Sequence, residues 1–237
     1  MILFFMLFHS ITLYCANINS ILLQYPGYWQ GKLIENIASQ GINIDYDIIP
    51  PRSKAEFLHG IVMLADLNTW SIGTVGPNSF GAKWYAGRPR PEEVAYKIAT
   101  GELGLDQGVP QRIIDKIESM QLESAEEFTA YPEGSPRHPS WPAMHSAASQ
   151  ASFWLAVVLN LTPAQLVEAK RVDHAVAMAR TIAGVHYRTD NMFGLNLGIQ
   201  VIADLLPDYL SERYGSNKDA VRAKINSLKW SWQTDLN

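Results

Sequence analysis

Residues 160–206 read NLTPAQLVEAKRVDHAVAMARTIAGVHYRTDNMFGLNLGIQVIADLL, and this stretch decides the fold. Thr162 followed by Pro163 is a helix-start signal. The threonine hydroxyl can cap open amides, and proline at the first helical position lacks an N–H that would go unpaired anyway. The helix is expected to run to about Ile182. A second begins near Thr189 and carries Phe193, Leu197, Val201 and Leu205 at four-residue spacing, one apolar helical face. Pro207 reads as the next break.

The same periodicity extends upstream. A long apolar helix is expected over 144–159, with the small residues Ala147, Ala148 and Ala151 permitting close packing. Before it, residues 131–142 hold four prolines and must form an extended loop, because proline removes amide donors and fixes φ. Two amphipathic helices are read over 92–102 and 110–119, and a helix-prone acidic stretch over 123–130. Phe57, Ile61, Leu64 and Leu67 mark a helix that Ser53 and Glu56 open as a capping box. Residues 68–79 read as a loop or broken helix, 80–85 as its resumption, and Pro89 and Pro91 as its end. Residues 20–54 are mixed, with turn signals at Tyr25-Pro26-Gly27 and Ile49-Pro50-Pro51. Only 41–45 and 48–49 could be strands. The class is all-α: one helical domain over 1–237, with 1–54 as an N-terminal segment.

The chain has 237 residues, of which 47% are hydrophobic and 18% charged, so a sizeable core can be buried and wholesale disorder is excluded. A net charge of −4 gives no reason to expect nucleic acid. The single cysteine, Cys15, excludes an intrachain disulfide and a zinc–thiolate cage. The first charged residue is Lys32, and Ile2 to Phe8 is an apolar run. It lacks the basic start of a signal peptide and the length of a membrane span. A buried helix, a targeting segment and an anchor stay open, as does a secreted or cell-surface location. A chain that opens in this way is also expected to be a piece of a longer protein.

Three stretches place polar groups within apolar helical surroundings: Lys83-Trp-Tyr-Ala-Gly-Arg-Pro-Arg-Pro91, Arg137-His-Pro-Ser-Trp-Pro-Ala-Met-His145, and Arg180-Thr-Ile-Ala-Gly-Val-His-Tyr-Arg-Thr-Asp190. Lys83 and Arg90 are seven apart, nearly two helical turns. His145 stands at a loop-to-helix junction, where backbone amides favour an anion and an imidazole can exchange protons. His186 and Asp190 are four apart, so the carboxylate can reach one ring nitrogen and fix the tautomer. Arg180 and His186 are out of phase on an unbroken helix, and Gly184 offers the break that could turn both inward. Taken singly, the first reads rather as a solvated basic patch and the second as a structural histidine, while for the third an exposed ion pair stands close to even with a functional one.

Together, Lys83…Arg90-Pro91, Pro142…His145 and Arg180…His186…Asp190 resemble the signature of the type 2 phosphatidic acid phosphatase and vanadium-dependent haloperoxidase superfamily: K-x6-R-P, then P-S-G-H, then S-R-x5-H-x3-D. The resemblance covers about 55–206, the expected vanadate-binding core, and implies the helical bundle of that superfamily. The segment from Arg137 to His145 further resembles algal bromoperoxidases, which carry a second active-site histidine where His138 stands. Those relatives are oligomeric, so a homo-oligomer is allowed for. Three departures matter. Ala143 replaces a serine, Met144 a glycine and Ala179 a serine. Each lost charge-assisted hydrogen bond would cost about 1.5–3 kcal/mol.

The resemblance implies vanadate as cofactor, with hydrogen peroxide, a halide and a small organic acceptor as reactants. Lys83, Arg90, Arg180 and the Met144 amide would bind its oxygens. His186 would be the metal ligand, with Asp190 on its other nitrogen. His145 would take a proton from peroxide, Lys83 would make peroxide more electrophilic, and His138 would tune bromide oxidation. The alternative is phosphomonoester hydrolysis with His186 as nucleophile and His145 as acid, or an impaired relative that only binds an oxyanion. Arg88 competes with Arg90 as the site cation, the spacing favouring Arg90. Arg188 is expected to be exposed, Trp84 and Trp141 to pack in the core rather than line the halide approach, and His9, His59 and His174 to be structural or surface residues.

Overall fold

The computed structural model describes residues 26–51, 56–131, 134–228 and 230–232. The helices are α1 (Pro26–Gln40), α2 (Glu56–Ala86), α3 (Pro91–Ala99), α4 (Gln111–Glu118), α5 (Met144–Ala148), α6 (Ala151–Val158), α7 (Pro163–Ile182), α8 (Arg188–Tyr214) and α9 (Lys218–Ser227). Short 3₁₀ turns lie at Leu105–Gln107 and Ala125–Phe128. Among the described residues, the one extended pairing is an isolated bridge between Ile44 and Leu159, so the all-α reading holds. The expectations for Ile2 to Phe8, His9, Cys15 and the Ser53 capping box fall outside the described residues. Among the described residues, no helix is long and apolar enough to cross a membrane.

The core is built around α6. All eight of its residues are buried, as expected of a helix that is apolar all round. Leu33 and Ile37 of α1, Met63, Leu64 and Leu67 of α2, and Ile202, Leu206 and Leu210 of α8 belong to the same cluster. The N-cap of α7 forms as read: the Gln165 amide donates to Thr162 Oγ1 at 3.2 Å, and the Thr162 amide to Gln165 Oε1 at 3.0 Å.

Five expectations need correcting. Residues 68–79 are not a loop: α2 continues through Pro77 to Ala86. Its inward residues Ser71, Val75, Ser79 and Lys83, spaced by four, are all fully buried. Pro77 is exposed, so the lost amide bond lies on the solvent side while packing holds the helix. Helix α8 also runs through Pro207, which is itself buried, with the packing of Leu206 and Leu210 on either side holding the helix. Conversely, 144–159 is two helices, broken at Ser149 and Gln150. Asp173 of α7 caps the second, accepting from Ser152 N at 2.8 Å, Ser152 Oγ at 2.5 Å and Ala151 N at 3.3 Å. Gln30 and Gln150 donate to Ala148 O and Ser146 O at the break. Pro26 opens α1 rather than marking a turn, in keeping with proline at a helix start. The strand candidates do not form a sheet: Ile48 N and Ile49 N turn back to Asp45 O.

Helix α8 packs backbone to backbone on α5. A Cβ at Gly194 would stand 2.4 Å from Ala143 O, and one at Gly198 2.1 Å from Ala147 O. Glycine at these two positions therefore lets the start of α8 lie directly against the segment that carries His145. Asn191 fastens the same junction: its Nδ2 donates to Thr181 Oγ1 at 2.7 Å and its Oδ1 accepts from Ser146 Oγ at 3.0 Å. One fully buried amide thus ties together α5, α7 and α8.

Candidate active site

Lys83 ends the inward stripe of α2. Its Nζ donates to Pro139 O at 3.0 Å and Ser140 O at 3.1 Å. The proline-rich loop before α5 has few amide donors but keeps all its carbonyls, and buried cations serve these. Arg90 does likewise, with Nε donating to His138 O at 3.0 Å. Glu92, to which the sequence reading gave no role, pins the other end of the loop, both carboxylate oxygens accepting from Ser135 N at 3.1 Å. Ser140 bonds back to Arg88 O and Pro89 O.

The chain then turns at Gly87, φ +60°. Arg88 and Arg90 bracket one pair. Arg90 NH1 lies 3.2 Å from His186 Nε2, while Arg88 NH1 lies 2.6 Å from Asp190 Oδ1. Arg88 also donates to Thr189 Oγ1 at 2.7 Å and stacks over Tyr187 at 4.1 Å. Between them, His186 Nδ1 meets Asp190 Oδ2 at 3.3 Å. A guanidinium can only donate, so His186 accepts at Nε2 and carries its proton on Nδ1, toward the carboxylate.

The turn at Gly184 sets this up. Its φ is +74°, and a Cβ there would meet Phe128 O at 2.8 Å. The chain folds over so that Val185 N and His186 N both bond to Arg180 O, at 3.2 and 3.3 Å. Arg180 and His186 are then both interior, 2% and 5% exposed. Arg180 NH1 donates to the Tyr131 hydroxyl, and its guanidinium lies 5.7 Å from that ring's centre. Tyr131 was not singled out from the sequence, and no motif marked it.

His138 is held by Arg90 NH2, 3.0 Å from Nδ1, and lies edge-on to Phe80 at 5.2 Å. Its Nδ1 must accept from Arg90, so its 3.2 Å approach to Pro139 O is not a hydrogen bond and the proton sits on Nε2. Met144 opens α5, and its methyl group packs toward α2, 3.6 Å from where a Cβ on Gly76 would be. Ala143 is fully buried, its amide bonded to Asp190 O at 3.0 Å. Trp84 is 65% exposed rather than core, because it faces away from the Lys83 stripe. Trp141 packs on Phe193 at 4.2 Å. Arg188 is exposed, and His59 and His174 are half-buried away from the cluster.

The electrostatics are one-sided. Among the described residues, neither Lys83 nor Arg90 forms an ion pair with a carboxylate. Burial, then the Arg90 charge, pulls the Lys83 ammonium down to about 7. Burial together with Arg180, His186, Lys83 and Arg90 brings His145 down to about 3. His186 falls to about 4 through burial, opposed by the Asp190 hydrogen bond and assisted by Arg90 and Lys83. Burial raises Asp190, but the His186 and Tyr187 hydrogen bonds and the Arg88 charge outweigh it and hold the carboxyl below its ordinary value. A buried carboxylate thus has its partners, while buried cations and two neutral imidazoles share a region of positive potential.

A match to the PAP2 superfamily runs over residues 62–210, from the first turns of α2 to the last of α8. The chain belongs to the PAP2 superfamily. Every candidate residue from Lys83 to Asp190 falls inside the stretch that matches. PAP2 superfamily members are generally enzymes, phosphatases and haloperoxidases, and the helical architecture of this chain is consistent with that membership. No curated protein matches the chain, and no solved structure does.

The donor set suits a tetrahedral oxyanion. Among the described residues, no three His, Cys, Asp or Glu side chains gather as a metal-cation cage. Of the three donors on Lys83 Nζ, two go to carbonyls, which leaves one. Arg90 spends four of its five N–H groups on His138, Val185 O and His186. Its contact with His186 Nε2 must be released before that nitrogen can bind anything else.

Proposed function

We propose that this protein is a vanadium-dependent haloperoxidase, oxidising bromide or iodide with hydrogen peroxide to hypohalous acid, which halogenates organic acceptors. The observation that carries this reading is Arg90. One buried guanidinium joins His138 Nδ1 and His186 Nε2 beside a buried lysine without a carboxylate partner. Phosphoryl transfer needs an imidazole nucleophile and an acid; it has no task for a third imidazole wired to the same cation.

Vanadate, the cofactor implied, would be held by Lys83, Arg90, Arg180 and the Met144 amide, with His186 Nε2 as its protein ligand. When bound, it supplies a Lewis acid that activates hydrogen peroxide towards halide attack without changing oxidation state. Asp190 keeps the His186 proton on Nδ1 and Nε2 free to donate its lone pair. His145, neutral at physiological pH, accepts a peroxide proton at a ring nitrogen. Its low pKa comes partly from surrounding cations, so an anion among them raises it and makes it a better base. Lys83 offers its remaining N–H to the reacting oxygen. The binding core is assigned to 55–206.

The test is direct. Protein loaded with orthovanadate is given hydrogen peroxide and bromide at mildly acidic pH, and bromination of a β-diketone is followed. Bromination that depends on vanadate supports the reading. Hydrolysis of a chromogenic phosphate by vanadate-free protein, with no halogenation at any loading, supports a phosphatase instead. Vanadate binding without either turnover supports an oxyanion-binding relative.

A further inference from the structure

We propose that Ser79 is an oxyanion-binding residue of this site, a hydroxyl donor from α2 that no motif marks. The inference rests on the oxyanion-site reading above and adds a residue to it. Ser79 is fully buried, and among the described residues its Oγ has no hydrogen-bond partner. That is unusual on a helix. A serine there ordinarily bonds back to the carbonyl one turn earlier, and a buried polar atom without a partner calls for an explanation.

Two contacts place this stretch of α2. Four residues on, Lys83 reaches Pro139 O and Ser140 O. Three residues back, Gly76 receives the Met144 methyl. This part of α2 therefore runs alongside 139–144, with Gly76 opposite Met144 and Lys83 opposite the loop. Ser79 stands between them on the same buried face as Lys83, over the junction that leads into His145. Ala143, within that junction, offers no side-chain donor. An oxyanion held by Lys83 there meets an unused hydroxyl whose only missing element is an acceptor. A hydroxyl donating to a charged acceptor forms one of the stronger hydrogen bonds.

The experiment measures binding of inorganic orthophosphate and of orthovanadate to the full chain by calorimetry, without peroxide or halide. Ser79→Ala is expected to bind both roughly 10- to 150-fold more weakly, as loss of a hydrogen bond to a charged group dictates. Its Tm without anion should equal or exceed that of the wild type, because an unsatisfied buried hydroxyl has been removed. Ser71→Ala, on the same stripe but with its hydroxyl bonded to Asn68 O, should bind as the wild type does. If Ser79→Ala does not fold, Ser79→Cys, of similar shape but a weak donor, carries the same comparison. Wild-type binding with unchanged affinity in the Ser79 variant overturns this inference and leaves the proposed function standing. A wild type that binds neither anion overturns the oxyanion-site reading itself, and the Ser79 role falls with it.

Discussion

Replacing Lys83 with methionine should change how stability depends on pH, and the size of the effect follows from the site. The ammonium falls from 10.5 to about 7, through burial and then the Arg90 charge. At 1.36 kcal/mol per pKa unit this is on the order of 5 kcal/mol, and screening by water in the site reduces it to about 2–5 kcal/mol. The folded pKa of a base is depressed, so between about pH 7 and 10.5 the unfolded chain holds a proton that the folded chain has lost. Wild-type stability contributed by this group must rise with pH across that window. Lys83→Met removes the rise. It also leaves Pro139 O and Ser140 O without their donor, a pH-independent loss of about 1–3 kcal/mol each. The slope therefore carries the information, rather than the absolute stability. Urea unfolding from about pH 6 to about pH 9.5 should show curves that diverge as pH rises. With saturating sulfate, a tetrahedral dianion, the wild type should gain stability mainly at the acidic end and the variant should not. Parallel curves for the two proteins, with and without sulfate, would refute the claim that Lys83 is a buried cation awaiting an anion.

Three further outcomes are expected. Gly198→Ala should destabilise the fold by about 3 kcal/mol or more, because its Cβ would sit 2.1 Å from Ala147 O and neither backbone can yield; an unchanged Tm would contradict the close approach of α8 and α5. Burial pushes the Asp173 carboxyl from 3.8 up to about 7, so the stability it contributes is present below about pH 4 and lost as pH rises through 7; Asp173→Asn should flatten that part of the profile, and a difference curve without slope between pH 4 and 7 would count against it. Arg88→Met should cost about 1–3 kcal/mol, since a half-exposed arginine loses a fully buried carboxylate, and should weaken the Nδ1–H tautomer of His186 read by nitrogen NMR. Arg88→Lys should restore part of that tautomer signal, and a tautomer indifferent to both variants would remove the role of Arg88.

Much of the architecture was legible because it depends on local periodicity. The Thr162–Pro163 start, the four-residue spacing of Phe193 to Leu205 and the turn at Gly184 lie within single stretches of chain. What the sequence hid was tertiary. Pro77 and Pro207 look like breaks, yet buried faces carry both helices past them. The apolar run 144–159 looks continuous, yet Asp173 from another helix supplies the cap that lets it break. The site shows the same division. Lys83, Arg90, His145, Arg180 and His186 stood out as polar groups in apolar surroundings at particular spacings. Tyr131, Glu92 and Asn191 did not, because their importance lies in partners tens of residues away. Spacing favoured Arg90 over Arg88 as the site cation but gave Arg88 no role; the geometry gives Arg88 to the carboxylate and Arg90 to the imidazoles.

The most direct test of the central claim is vanadium content and bromination activity measured on the same sample, for the wild type and for His186→Ala. The account predicts vanadium retained by the wild type through gel filtration, in proportion to its bromide- and peroxide-dependent bromination, with both lost in the variant. A variant that keeps stoichiometric vanadium and full activity, or a wild type that retains vanadium yet brominates nothing, would contradict it.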